Sequence, residues 1–129
     1  MTIELRYVLA WLPMLLIAIA NGLLREAIIK KYVSDHRAHQ LSTVTLILFF
    51  AVYIYFIVRR YPPQSESQAL LLGIIWVILT LIFEFGFGRY RGNSWQTLLS
   101  EYNLLKGKIW VFIPAWVALA PWVFYRLLR

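Results

Sequence analysis

One carboxylate stands out by its position in the chain. Glu84 follows 17 uncharged residues, Ser67 to Phe83, and precedes Phe85-Gly86-Phe87-Gly88. A charge at the depth of a bilayer is costly, so such a residue turns to the protein interior and finds a partner. Thr80, Glu84 and Gly88 are spaced four apart and share one helix face, small and polar, suited to close helix contact. Two roles fit this carboxylate. It carries a proton or binds a cation in a cavity, or it forms a structural ion pair with Arg25, Arg37 or His39.

The other polar side chains gather near the same ends of the apolar segments. Asn21, Arg25 and Glu26 close the first segment; His36, Arg37, His39, Gln40, Ser42 and Thr43 open the second. Arg89 and Arg91 follow Glu84, and Glu101, Tyr102, Asn103, Lys106 and Lys108 precede the fourth segment. The expected ligand or ion-pair cluster is Glu84, Arg25, Asn21, Glu26, Arg37, His39, Gln40 and Arg89. His36 and His39 stand three apart without a third fixed ligand, too weak a pattern for a metal site. His39 and Glu84 could form an acid–base pair. No serine has a nucleophile context, and Gly86-x-Gly88 lacks the third glycine and strand–turn–helix setting of a phosphate loop. No catalytic residue, metal or cofactor is expected. With no cysteine, disulfide and thiolate chemistry are excluded.

The elements that position these residues are four apolar blocks. Of 129 residues, 61% are hydrophobic and 15% charged, against about 45–50% and about 25% in soluble domains. The uncharged runs are 7–24, 41–58, 67–83 and 109–125, the third extending past Glu84 to Gly88. Seventeen residues of helix rise roughly 26 Å, enough to span a bilayer once flanking aromatics and arginines are added. The expected fold is all-α: a polytopic membrane protein in a single domain, 1–129, with transmembrane helices at about 7–24, 41–58, 67–88 and 109–125. Arg6, the following apolar run and Ala18-Ile19-Ala20 imitate an export signal, but the segment is read as the first span.

The second and third spans are joined by a short link containing Pro62-Pro63; the other two connections are long. Ser34-Asp35 is expected to cap the second helix. In 89–108, Gly92-Asn93 marks a turn and Asn93 with Gln96 suggests a capping box. Trp95, Leu98, Leu99, Tyr102 and Leu105 then make one apolar face of an amphipathic helix in the headgroup region, ended by Gly107. Four crossings put both long connections on one side. Arg25, Lys30, Lys31, Arg37, Arg89, Arg91, Lys106 and Lys108 make 8 cations there, against 5 on the other side: Arg6, Arg59, Arg60, Arg126 and Arg129. Positive-inside reasoning favours cytoplasmic long connections, unless Arg25, Arg37 and Arg89 are used in internal ion pairs.

Asn21-Gly22-Leu23-Leu24-Arg25-Glu26, Arg37-Ala38-His39-Gln40-Leu41-Ser42-Thr43 and Glu101-Tyr102-Asn103-Leu104-Leu105 resemble a set of small four-span bacterial inner-membrane proteins. The resemblance covers nearly the whole chain. It implies an integral protein of the inner membrane and, since that family carries no assigned activity, transfers no catalytic residue. The net charge of +7 points to anionic membrane lipids as partners; no basic run exceeds two residues, so nucleic acid is not expected. The expected function is an ion or lipid-headgroup binding or transport module, working as a homo-oligomer or beside a membrane-protein partner. The alternative is a non-catalytic subunit or assembly factor of a larger complex. A lipid-acting enzyme has the least support.

Overall fold

The computed structural model describes residues 2–128 and, within them, every side chain but that of Lys106. The chain is all-helical, 82% helix. Five α-helices follow in order: α1 (Ile3–Ala27), α2 (Asp35–Arg60), α3 (Glu66–Tyr90), α4 (Trp95–Ser100) and α5 (Phe112–Leu127). Short 3₁₀ turns lie at Ile29–Lys31 and Leu104–Lys106. Hydroxyls start four of the helices. Thr2, Ser34, Ser65 and Ser94 each accept from the backbone N–H three residues on, satisfying a donor that the helix leaves open.

Three helices are long and apolar enough to cross a membrane: the α1 region, α2 and α3. Their outer faces suit that setting, since Leu16, Leu23, Leu48, Val52 and Ile82 are all at least 60% exposed. So much contiguous apolar surface belongs in lipid rather than water, and the chain has the character of an integral membrane protein. The expected fourth span coincides with α5, which is apolar but has only 16 residues.

The core is built at helical spacing. Leu46, Phe50, Ile54 and Val58 of α2 stand four apart and are all buried, facing Leu72 and Trp76 of α3 and Ile113, Val117 and Ala120 of α5. Aromatic donors then tie the helices. Trp76 donates through Nε1 to the Tyr7 carbonyl at 2.6 Å, Tyr7 OH to the Tyr61 carbonyl at 2.7 Å, and Tyr53 OH to the Ala10 carbonyl at 2.7 Å. Each buries an aromatic body while giving its polar tip an acceptor.

The 91–111 connection differs from the expected continuous amphipathic helix. Ser94 rather than Asn93 caps α4, accepting from Thr97 N at 3.1 Å. The helix stops at Ser100, and Leu105 is wholly exposed while Tyr102 turns inward. Gly92 and Gly107 supply the reversals, with φ of 93° and 79°, in the left-handed region open to glycine.

At Gly73 the backbones of α3 and α5 approach closely. A Cβ added there would collide with the Ala118 backbone carbonyl, whereas one on Gly86 would meet nothing within 4 Å. Gly73→Ala is therefore expected to destabilise the bundle by about 1–3 kcal/mol through overpacking. Gly86→Ala should leave it unchanged or stabilise it by up to about 1 kcal/mol. Thermal unfolding of both variants in detergent checks this; equal melting temperatures would contradict the packing.

Candidate functional site

Glu84 has no cationic partner within ion-pair distance among the described residues. Its Oε1 accepts from Trp110 Nε1 at 3.0 Å, and its Oε2 accepts from Tyr102 OH. No direct ion pair of Glu84 with Arg25, Arg37 or His39 occurs; its partners are these two neutral donors. Both donors come from the 91–111 connection, which folds back against the end of α3. Burial, and next the charge of Glu84 beside it, push the Tyr102 hydroxyl above its ordinary range. It thus stays protonated and able to donate. Phe85 stacks on Tyr102 and Trp95 at 5.6 and 5.9 Å between centroids, holding the connection from its other side.

Gly88, one turn past Glu84, sits under Leu98 of α4, whose methyls leave no room for a Cβ. Trp11 of α1 donates to Thr80 Oγ1 at 3.1 Å. The Thr80–Glu84–Gly88 face is thus occupied along its length, by α1 at one end and by the 91–111 connection at the other.

The polar end of α1 meets the start of α2 in a second network. Asn21 Nδ2 donates to the Ser42 carbonyl at 2.9 Å and Arg25 to Ser42 Oγ at 3.1 Å. Ser42 Oγ and Thr43 Oγ1 donate to the His39 carbonyl at 3.1 and 2.8 Å. Glu26 pairs with Lys30 at 2.9 Å and with Arg25 at 3.3 Å. The His39 ring lies tilted against Trp110 at 5.2 Å, its Nε2 3.3 Å from Glu101 Oε2 but without the alignment of a hydrogen bond. The ring of His39 thus lies beside Glu101, and Trp110 stands between it and Glu84. Gln40 donates to the Gly107 carbonyl at 2.8 Å, tying the long connections together.

Between these networks α1 and α3 part. They are joined at Tyr7–Trp76 and at Trp11–Thr80 and diverge beyond, leaving a cleft of about 810 Å³. Its walls are Met14 and Ala18 on one side and Phe83 and Phe87 on the other, with Leu46 and Phe50 of α2 at the back. Glu84, Tyr102 and Trp110 line it together with Arg25 and His39, and the more exposed Glu26, Lys30, Arg91 and Glu101 mark its mouth.

Of the expected cluster, the cleft gathers Glu84, Arg25, Glu26 and His39. Asn21 is buried beside it but lines a separate groove on the outer face of α1 and α2. Arg37 is exposed, and Gln40 serves the loop–loop contact. Arg89 lies 5.5 Å over the Trp95 ring and donates to the Asn93 carbonyl at 3.2 Å. None of these three lines the cleft. Tyr102, expected in the headgroup region, and Trp110 both turn to Glu84 instead. Their roles as donors to Glu84 follow from the break in the helix after Ser100, which side-chain periodicity does not reveal. No group of three His, Cys, Asp or Glu residues that could hold a metal ion occurs among the described residues.

No family model, curated protein or solved structure matches the chain.

Removing one donor from a buried acceptor costs more than the net value of the bond; measured intramembrane pairs run from about 0.5 to 2 kcal/mol. Tyr102→Phe is expected to lower stability within that range. In a Glu84→Leu background the same change should cost markedly less, and a thermal-unfolding double-mutant cycle reads the coupling. Strictly additive effects would remove the Glu84–Tyr102 interaction from the account.

Proposed function

We propose that this protein is a four-span module of a bacterial inner membrane that binds a membrane amphiphile by its headgroup, in the cleft between α1 and α3. The four-span reading rests on α5. It packs mainly on α3, with α2 on its other side, and is flanked by Trp110 and Arg126. Its 16 residues rise about 24 Å, which the adjoining Trp110–Val111 turn extends.

The observation that carries the binding reading is the cleft itself. Its volume of about 810 Å³ falls within the usual ~300–1,000 Å³ of ligand sites, which are mostly apolar with a few convergent polar groups. Here the apolar walls merge with the lipid-facing surfaces of α1 and α3, and the polar groups converge at the end beside the long connections. That division, apolar along the helices and charged at the mouth, matches an amphiphile entering from the bilayer rather than a solute from water.

A second reading, as a subunit of a homo-oligomer or larger membrane assembly, also has one observation behind it. The outer groove of about 560 Å³ on α1 and α2 is lined by apolar side chains, Tyr53 and Asn21, which is 2% exposed and whose Oδ1 has no donor among the described residues. A neighbouring helix carrying a hydroxyl or amide would satisfy it. Gly73 and Gly88, by contrast, pack within the chain and offer no outer stripe.

Filling the cleft tests the first reading. Native mass spectrometry of protein taken from mild detergent should show a retained amphiphile on the wild type. Ala18→Trp, which projects into the cleft, should reduce its occupancy at least tenfold. Leu48→Trp on the lipid face of α2 should not. Equal occupancy in Ala18→Trp and wild type, both folded, would contradict the proposal.

A further inference from the structure

We infer that the headgroup taken by this cleft is an organic ammonium, its nitrogen set against Glu84 and its chain lying between Met14 and Ala18 of α1 and Phe83 of α3. The inference rests on the amphiphile reading above and names the chemistry of its ligand.

The argument starts from the charge balance of the cleft. Glu84 accepts from one indole and one phenol, both neutral donors, and no cation lies within ion-pair distance of it among the described residues. Hydrogen bonds from neutral groups orient the carboxylate but leave it without a counter-charge among the described residues. A half-buried charge without a counter-charge is unfavourable at this depth, so the site favours a ligand that brings a positive one. Two of the three lysine and arginine side chains lining the cleft are already paired. Arg25 and Lys30 pair with Glu26, and Arg91 sits 5.7 Å over the Phe87 ring.

The walls narrow the class of cation. A hard divalent ion requires about six or more oxygens, and each Glu84 oxygen already accepts a bond. Ammonium and alkylammonium groups need one carboxylate and can lie against aromatic faces. Trp11, Phe83, Phe87, Tyr102 and Trp110 all line the cleft. An anionic headgroup set at Glu84 would place like charges together. The apolar walls along α1 and α3 accept an alkyl chain, and Arg91, seven residues beyond Glu84 in sequence, stays near the mouth. Two sources supply the same chemistry: the amine headgroup of a phospholipid and a free lipophilic amine.

The test uses the full chain in nanodiscs of digalactosyldiacylglycerol, a host lipid with neither an ammonium group nor a net charge. Three single-chain probes of equal length are titrated below their micellar concentrations: dodecyltrimethylammonium, a dodecyl chain with a neutral sugar head, and dodecyl phosphate. Binding is read by tryptophan fluorescence and by native mass spectrometry. The expected result is at least a tenfold preference for the ammonium over the neutral probe, abolished in Glu84→Gln with neutral binding retained. Should that variant fail to fold, the wild-type preference alone decides. Equal binding of ammonium and neutral probes, or a preference for the phosphate, would overturn the ammonium assignment and leave the cleft reading standing. Failure of all three probes to bind, with no change in Ala18→Trp, would instead overturn the cleft reading. A parallel arm adds phosphatidylethanolamine to the nanodisc. If it competes with dodecyltrimethylammonium in wild type but not in Glu84→Gln, the lipid amine is the source; if it does not, the free amine is.

Discussion

The hydrogen bonds that Trp110 and Tyr102 give to Glu84 are the constraint around which the cleft end of this bundle is arranged. A carboxylate that far into an apolar helix requires donors, and α3 supplies none. They come instead from the connection that precedes α5. To deliver them the chain must break its helix after Ser100, turn Tyr102 inward and reverse at Gly107. Once it does so, Leu98 closes on Gly88, and the end of α3 is committed to the connection and to α5. Across from it α1 meets α2 through Asn21, Arg25 and Ser42. The cleft is the space between two separately satisfied polar networks.

The same economy recurs through the bundle. Tyr7, Trp11, Tyr53 and Trp76 each donate to an acceptor on another helix or its end. In a low-dielectric interior such bonds fix register and orientation without introducing charge. Glu84 is the exception, since its carboxylate is held by neutral donors while Lys30 and Arg91 remain at the mouth. This separation of charge gives the cleft its chemical character.

Much of this architecture was legible in the residues. The uncharged runs located α1, α2 and α3, although each helix extends beyond its run because Thr2, Ser34 and Ser65 cap it among polar residues. The shared face of Thr80, Glu84 and Gly88 was visible from spacing alone, as were the reversals at Gly92 and Gly107. The partners of Glu84 were not. Charge complementarity pointed to Arg25, Arg37 or His39, yet Arg25 is held by Glu26 and Ser42 and His39 faces Glu101. The apolar pattern over 95–105 suggested one helix lying on the surface. Tertiary demand from a half-buried acceptor overrode that pattern, and a demand of this kind is not written in local periodicity.

Hydrogen–deuterium exchange compares the central interaction with its absence most directly. The account holds that Glu84 pins the 91–111 connection against the end of α3. In Glu84→Leu the backbone amides of 97–110 should therefore exchange markedly faster than in the wild type, while the cores of α2 and α5 keep their protection. Unchanged protection across 97–110 in a folded Glu84→Leu protein would contradict it.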